Sequence, residues 1–331
     1  GSDTRMALAL GVSEVEDSAD RIRKLMRPEV PGGWMGKLRA LGDLRELAGA
    51  SPKLVSRAAS QEVVETTPSL HSMPVLTCWP EDGGPYITLG LTISRDPREG
   101  KRNVGLYRLQ VFGPTEAGMH WQLHKGGAEH ERLAAGRRMP IAVAIGADPA
   151  VTYAASAPLP PGIDELLFAG FLRGAPVELV KAKTVDLEVP ASAEYILEGY
   201  VDPAERRLEG PFGDHTGFYS LADQYPVFHL TGLTHRRQPI YHTTIVGRPP
   251  MEDYWLGKTT ERLFLPLIQL VVPEIVDMNM PPEGVFHNLV IVKIRKRFPG
   301  HAHKTMYALW GLGQMMFARN IVVLDEDANV H

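Results

Sequence analysis

Residues 86–112 read YITLGLTISRDPREGKRNVGLYRLQVF, in which two strand-like runs flank a turn that contains Pro97 and Gly100. Runs of β-branched and aromatic residues bounded by Gly and Pro are typical of strands. The predicted strands are residues 74–79, 86–94, 104–112, 119–123, 141–145, 177–189, 195–201, 227–233 and 240–246, the last two joined by a hairpin. With short helices predicted at 128–135, 149–157 and 165–173, this region is typical of a mostly antiparallel barrel or sandwich.

The flanking segments have other patterns. Residues 13–50 predict helix, because Leu38, Leu41, Leu44 and Leu47 recur every three residues in a charged background. Residues 51–74, which contain many Ser, Thr and Pro, predict a linker or surface loop. Residues 258–331 alternate helix (259–272), strand (289–294), helix (304–317) and strand (321–324), which indicates an α/β layer. The whole chain is therefore predicted to be α+β.

Composition excludes several classes of protein. The 331 residues include 35 Lys and Arg against 39 Asp and Glu, a net charge of −4, which argues against nucleic acid as the main partner. The single cysteine, Cys78, cannot form an internal disulfide, so a reducing compartment and a cytoplasmic location are expected. The apolar run 263–272 is shorter than the roughly 20 residues that span a bilayer, so no membrane span is predicted.

Two strand-like segments carry side chains suited to binding. Arg108 in NVGLYR (103–108) offers a planar fork that binds carboxylate or phosphate, or it is an exposed arginine on an amphipathic strand. MHWQLHKGG (119–127) combines imidazoles, an ammonium group and a Gly pair that lets the backbone approach a ligand. This second segment indicates a metal or phosphate site, or a surface hairpin with incidental histidines.

Acidic residues mark two further segments. PGIDE (161–165) resembles an ordinary helix start, where acidic residues cap the first turn. EGPFGDHTG (209–217) places two carboxylates five residues apart on a loop with Pro and Gly. Paired carboxylates in one cleft can take different pKa values, one staying ionised and one donating a proton; a tight surface turn is the alternative. His301 and His303 predict a solvated turn before a helix rather than a metal site.

Together, several strings resemble those of the UbiD family of decarboxylases over residues 5–331. They are NVGLYR, HKGG, GADP, DLEVPASAEYILEGY, EGPFGDHTG, VGRPP, PEIVD and PPEG. By eye the similarity is closest to 4-hydroxybenzoate and 3-polyprenyl-4-hydroxybenzoate decarboxylase-like members. The resemblance implies a split β-barrel that binds prenylated flavin mononucleotide (prFMN), with Mn²⁺ or Mg²⁺ and with K⁺ at the flavin phosphate. It also implies reversible decarboxylation of an aromatic or α,β-unsaturated acid to CO2, with a flavin prenyltransferase supplying the cofactor.

The resemblance also implies a domain organisation. An N-terminal helical or α/β segment and linker (1–74) precedes a split-barrel prFMN domain (75–257). A linker helix and the start of a C-terminal α/β oligomerisation domain follow (258–331). Family members form dimers or hexamers, so a homo-oligomer is expected, and the apolar helix 264–272 is either a subunit contact or an ordinary core helix. Because relatives are usually longer at both ends, an additional segment is expected on each side of this chain.

Site residues are carried over position by position from the resemblance. The catalytic positions are Arg108, Glu209 and Asp214, in which Arg108 and Glu209 place the substrate carboxylate and Asp214 donates a proton from a raised pKa. Asp214 stands where some relatives carry Glu. The metal-site positions are Asn103, His124 and Glu165, whose amide, imidazole and carboxylate favour Mn²⁺. The cofactor contacts are Leu106, Tyr107, Arg108, His120, Trp121, Gln122, Lys125, Gly126, Ser156 and Pro158.

Some questions stay open at this stage. Asn103 and Arg108 have opposite parity, so a bulge, or a strand that begins after Asn103, is needed for both to meet one cofactor. Either His303 or Lys304 is expected to reach the flavin phosphate. The same site catalyses carboxylation as readily as decarboxylation, as in subunits of aromatic degradation. A non-catalytic flavin-binding subunit of a larger complex is a third reading, which the intact catalytic trio disfavours.

Overall fold

The computed structural model describes residues 1–26, 47–160 and 162–331, which form two units. The barrel unit contains Ala48–Asp214 and Phe218–Val246, and the terminal unit contains Gly1–Leu47, His215–Gly217 and Gly247–His331. The strands are β1 (Lys53–Leu54), β2 (Val63–Val64), β3 (Tyr86–Arg95), β4 (Arg102–Val111), β5 (Glu116–His120), β6 (Met139–Ile145), β7 (Glu178–Lys181), β8 (Glu188–Pro190), β9 (Tyr195–Glu209), β10 (Phe212–Gly213), β11 (Tyr219–Ser220), β12 (Asp223–His235), β13 (Ile275–Asn279), β14 (Leu289–Ile294) and β15 (Asn320–Asp325). The helices are α1 (Asp3–Leu10), α2 (Val15–Met26), α3 (Gly126–Ala134), α4 (Pro149–Ser156), α5 (Glu165–Arg173), α6 (Glu252–Val271) and α7 (His301–Trp310).

A closed antiparallel barrel dominates the barrel unit. Its strands follow the order β12-β5-β4-β3-β6-β9, and β9 pairs again with β12 to close the ring. The barrel has apolar side chains on both faces, because one set fills its interior and a second packs under α4 and α5. β3 is therefore buried along nearly its whole length. The predicted α+β fold with a mostly antiparallel barrel is confirmed.

Two predicted strands are wrong because most of their backbone groups do not enter a strand ladder. In 74–79, Leu76 forms an isolated bridge with Tyr86, and the amides of Cys78 and Trp79 donate to the Asp82 carboxylate at 3.1 and 2.9 Å. In 240–246 the Thr244 amide donates to the Thr88 hydroxyl at 3.1 Å. The predicted hairpin between 227–233 and 240–246 is wrong as well, since β12 pairs with β9, β5 and β2.

The predicted linker 51–74 belongs to the barrel unit. β1 pairs in parallel with β7, and β2 pairs with the end of β12. The unit boundaries near residues 47 and 246 therefore differ from the domain boundaries predicted at 74 and 257. The predicted strand 177–189 is two strands, β7 and β8, which pair with each other.

The terminal unit combines helices with a small sheet. β14 pairs antiparallel with β13 and parallel with β15, and its apolar face packs against α6 and α7. From α6, Leu265 and Ile268 enter this core, which favours the core-helix reading of 264–272. Of the predicted N-terminal helix, residues 15–26 form α2, whereas Leu38, Leu41 and Leu44 lie outside the described residues. Among the helices that the structure describes, none is long and apolar enough to cross a bilayer.

Candidate functional site

Arg108 and Glu209 form a buried, two-pronged ion pair in the barrel unit. Arg108 lies on β4 and Glu209 is the last residue of β9. The guanidinium donates from Nε to Glu209 Oε1 at 2.8 Å and from Nη2 to Oε2 at 3.2 Å. The Glu209 side chain is fully buried and that of Arg108 is 10% exposed. Planar fork-to-carboxylate contacts of this kind fix orientation as well as charge.

The same guanidinium reaches the second carboxylate of the EGPFGD segment. Arg108 Nη1 lies 3.5 Å from Asp214 Oδ2, and Nη2 donates to the Ser220 hydroxyl at 3.2 Å. The β10–β11 hairpin brings Asp214 and Ser220 to this position, since Gly213 pairs with Tyr219. The structure thus brings the three predicted catalytic residues together.

Aromatic rings cover the guanidinium. The Arg108 guanidinium carbon lies 4.3 Å from the centroid of the Phe212 ring and 6.0 Å from that of Tyr86. The two rings also contact each other, at a centroid distance of 4.6 Å. Cations over aromatic faces are attracted by the ring quadrupole, and the rings keep water away from the ion pair.

His120 completes the shell around Glu209. It pairs with Arg108 in register across β4 and β5, and its Nδ1 lies 2.8 Å from Glu209 Oε2. Its ring stacks on that of Tyr225 at 4.1 Å. Burial by itself raises the pKa of Glu209, but the hydrogen bonds from His120 and Arg108 outweigh it and hold that pKa below its usual range. Glu209 is therefore ionised at neutral pH, whereas burial and the nearby Glu209 raise the pKa of Tyr86 and keep its hydroxyl protonated.

A groove of about 480 Å³ opens beside Tyr225 in the barrel unit. Within it Trp121 donates from Nε1 to the buried Glu131 at 2.8 Å, and Arg206 forms an ion pair with the same carboxylate. The groove is lined by Trp121, Gln122, Leu123, Ala128, Glu131, Arg132, Gly136, Pro203, Ala204, Arg206, Asp223, Gln224 and Tyr225. Two of the predicted cofactor contacts, Trp121 and Gln122, thus lie on this groove.

A second polar cluster surrounds Asn103, near the start of β4. The amide Nδ2 of Asn103 is buried and has no hydrogen-bond partner among the described residues. A Cβ atom on Gly126 would lie 2.1 Å from Asn103 Oδ1, so a larger residue there would displace the Asn103 amide. Tyr107 closes the cluster by accepting a hydrogen bond from the Gly127 amide at 3.2 Å.

Glu165 lies at the start of α5 and reaches the same strand. Its Oε2 accepts a hydrogen bond from the Val104 amide at 3.1 Å. Burial raises the pKa of Glu165 to about 7, with the backbone N–H groups opposing the shift. The capping reading of this segment is right for Asp164, which accepts hydrogen bonds from the amides of Leu166 and Leu167. Glu165 also lies in the first turn, as that reading has it, and in addition bonds to β4 through the Val104 amide.

The remaining predicted site residues have fewer contacts that bear on a binding role. His124 is exposed, and burial lowers the pKa of Lys125, whose backbone caps α3. Ser156 donates to the Tyr153 carbonyl at 2.8 Å, and Leu106 packs in the core under α4 and α5. Pro158 follows α4. Among the described residues no three His, Cys, Asp or Glu side chains form a ready metal cluster.

The strand geometry answers the parity question in part. β4 begins at Arg102, so a strand that starts after Asn103 is wrong. A register irregularity does occur, but it lies on β3 between Ile87 and Gly90, opposite Arg108. Asn103 and Arg108 contact different groups: the first lies by Gly126, the second by Glu209.

In the terminal unit, the predicted solvated turn is wrong for His301. This histidine is 4% exposed and its Nε2 lies 3.2 Å from Glu274 Oε1. Lys304 donates to the same oxygen at 2.6 Å, whereas His303 is exposed. Lys304 is thus already bonded to a carboxylate of its own unit.

Several residues of the site were not predicted from the sequence. Phe212 had a local signal, because it lies between the two carboxylates of EGPFGD. Tyr86, Ser220 and Tyr225 had none, since they reach Arg108 and His120 only through strand pairing across the barrel. The Glu131–Arg206 pair likewise joins residues far apart in the chain.

Two family models cover most of the chain. The 3-octaprenyl-4-hydroxybenzoate carboxy-lyase Rift-related domain matches residues 53–249, and the C-terminal domain of the same family matches 254–331. An uncharacterised protein of Archaeoglobus fulgidus is 52% identical over the whole chain, which covers 69% of that relative. An uncharacterised protein of Aquifex aeolicus is likewise 52% identical, with 69% of its length covered.

Solved structures give the same result. An evolved dimeric form of the UbiD-class enzyme HmfF from Pelotomaculum thermopropionicum, in complex with prFMN, is 33% identical with a TM-score of 0.84, covering 100% of this chain and 73% of that one. The vanillic acid decarboxylase of Sedimentibacter hydroxybenzoicus in its closed form is 28% identical with a TM-score of 0.84, covering 99% of this chain and 68% of that one. With both family models matched and the barrel shared, this chain is a member of the UbiD family of carboxy-lyases.

Proposed function

We propose that this protein catalyses the reversible, non-oxidative decarboxylation of an aromatic or α,β-unsaturated carboxylic acid with prFMN. The observation that carries the proposal is the buried cluster of Arg108, Glu209 and Asp214, in which one guanidinium holds two carboxylates. The neighbours named as a vanillic acid decarboxylase and as an enzyme in complex with prFMN support the reaction class and the cofactor.

The residues around Asn103 fit the metal that such a flavin requires. Asn103 presents a buried amide whose Oδ1 would be the metal ligand, and Gly126, with no side chain, leaves space next to that oxygen. Glu165 is buried with its pKa raised to about 7, so a cation nearby would favour its ionised form. With His124, these groups would supply oxygen and nitrogen ligands to Mn²⁺ or Mg²⁺ beside the flavin phosphate, where K⁺ would also bind.

The chain's own residues bind the substrate, exclude water and transfer the proton. When bound, prFMN supplies the electron sink for loss of CO2, as cofactors do in such reactions. Arg108 binds the substrate carboxylate through Nη1, its least engaged nitrogen, while Glu209 and His120 fix the guanidinium plane. Asp214 then delivers a proton to the carbon that loses CO2. Phe212 excludes water from the ion pair.

The direction of the reaction is set by conditions, because one site serves both directions. Carboxylation would appear as incorporation of labelled bicarbonate into the product of decarboxylation. The alternative of a non-catalytic flavin-binding subunit predicts cofactor binding without CO2 release. The family also supports a homo-oligomer, a dimer or a hexamer, which light scattering would measure.

The first experiment identifies the cofactor. We would co-express the chain with a flavin prenyltransferase, purify it without oxygen, and determine the mass and absorbance of the bound flavin together with its metal content. The proposal expects prFMN with stoichiometric manganese. Unmodified FMN or no flavin, from a preparation whose prenyltransferase makes prFMN, would contradict it.

Replacing Glu165 tests the metal site. We expect Glu165→Gln to lower metal affinity at least about 10-fold and to weaken flavin retention, because the amide removes the anionic ligand. Metal content by elemental analysis measures this. Glu129→Gln, at an exposed position in the first turn of α3, is the matched control and should keep the metal. Unchanged metal content in Glu165→Gln would remove Glu165 from the site.

A further inference from the structure

His120 has a place in the site that differs from a simple cofactor contact. Its Nδ1 bonds to Glu209 Oε2 at 2.8 Å, and its ring is held against Tyr225. The side chain is only 15% exposed. The ring nitrogen that faces Glu209 must donate, because Glu209 is ionised and can only accept.

The charges of the cluster give this hydrogen bond a role. Glu209 and Asp214 share one guanidinium, through contacts at 2.8 and 3.5 Å. When Asp214 gives up its proton, two carboxylates face Arg108, and the cluster carries one negative charge in excess. The hydrogen bond from His120 Nδ1 to Glu209 offsets that excess. Without it, burial would penalise one of the two anions.

We propose that His120 is a positioning residue that keeps Glu209 ionised and bound to Arg108 while Asp214 alternates between its acid and its anion. This inference rests on the proposed function. Among the described residues, the charged or titratable groups that face the His120–Glu209 pair are Arg108 on β4, Tyr225 and Asp223 on β12, and Tyr86 on β3. Burial raises the pKa of Tyr225, so its hydroxyl stays neutral in the working range.

Two substitutions grade the loss of the hydrogen bond. His120→Asn keeps a donor near the position of Nδ1. His120→Phe keeps an aromatic ring against Tyr225 and removes the donor. His229→Asn is the matched control, because His229 also contacts a glutamate, Glu205 at 2.6 Å, and stacks on a tyrosine, but away from Arg108.

The expected result is a change in the pH dependence, not only in rate. Glu209 has a depressed pKa, so the active form is lost as the pH falls through that value. Without the hydrogen bond from His120 the pKa of Glu209 rises, so the acidic limb of the kcat profile should move up by about one pH unit in His120→Phe and by less in His120→Asn. His229→Asn should leave the profile unchanged.

A second measurement keeps the inference separate from the proposed function. The carboxyl resonance of Glu209, in protein labelled with 13C at glutamate and assigned with Glu209→Gln, reports its titration without any turnover. The same upward shift is expected there in both His120 variants. If the wild-type protein titrates as described but releases no CO2, the proposed reaction fails and the role of His120 in holding Glu209 stands. If Glu209 titrates identically in wild type and in both variants, the inference is overturned.

Discussion

Asp214→Asn is expected to lower the rate of CO2 release by about 10²- to 10⁴-fold while the protein still binds its flavin. Glu209 is already engaged in the two-pronged pair with Arg108, whose Nε contact is 2.8 Å. Asp214 lies 3.5 Å from Nη1 and is the second acid at this guanidinium, so it is the candidate proton donor. Asparagine preserves shape and polarity but has no acidic proton to deliver. Steady-state CO2 release at equal flavin occupancy measures the effect.

The control for this prediction is a variant that keeps the acid but lengthens the side chain. Asp214→Glu restores the acid with one more methylene, as in some relatives, and should recover a measurable part of the rate. Exchange of solvent deuterium into the product gives a second readout, which should fall together with CO2 release in Asp214→Asn. A variant with an unchanged rate of exchange and of release would remove Asp214 from the role of proton donor.

Arg108→Gln is expected to abolish turnover and to destabilise the barrel unit by about 3–5 kcal/mol near pH 7. The substitution leaves Glu209, which is 0% exposed, with hydrogen bonds to His120 and Tyr86 but without the guanidinium. Breaking one side of a buried pair is costly because the other charge stays buried. Urea unfolding, followed by hydrogen exchange at the amides of β4 and β9, measures the loss within the barrel unit.

The sign of the pH dependence follows from Glu209. In the wild type its pKa is held low, so its contribution to stability is present above the unfolded value of roughly 4.3 and is lost as the pH falls through the folded value. Without Arg108 the pKa rises and ionisation of Glu209 at neutral pH becomes unfavourable. The stability difference between wild type and Arg108→Gln should therefore be larger at pH 7 than at pH 4.

A neighbouring arginine provides the comparison. Arg207 pairs with Glu116 at 2.7 Å, but the two side chains are 44% and 40% exposed. Exposed ion pairs contribute little, so Arg207→Gln should cost less than about 1 kcal/mol and should not change turnover. An Arg108→Gln protein as stable as Arg207→Gln, or one with the same pH dependence as the wild type, would contradict the account of the buried pair.

Local patterns predicted much of the barrel. The alternation of β-branched residues with Gly and Pro placed the runs that became β3, β4 and β6 within one or two residues of their bounds. It failed where an apolar run bonds to side chains. Residues 240–246 are rich in Thr, Ile and Val, yet the hydroxyl of Thr88 takes the backbone groups of Thr244 that a strand partner would otherwise take.

The site residues that could be predicted lie within the strings that resemble the family, such as NVGLYR, MHWQLHKGG and EGPFGDHTG. EGPFGDHTG contains both carboxylates and Phe212, so the resemblance could point to all of them at once. Tyr225 and Ser220 could not be found this way, because their positions depend on how β12 and β11 fold back on β9 and β10. The link between His120 and Glu209 is equally non-local, since it spans 89 residues.

The most direct test of the central claim is CO2 release by the prFMN-loaded protein from a panel of aromatic and α,β-unsaturated acids, measured without oxygen beside Asp214→Asn at the same flavin occupancy. The account predicts that at least one acid is turned over by the wild type and that the variant is slower by about 10²-fold or more. Two results would contradict the assignment of Arg108, Glu209 and Asp214 as the catalytic cluster. One is that the prFMN-loaded wild type releases no CO2 from any acid in the panel. The other is that Asp214→Asn releases CO2 as fast as an active wild type.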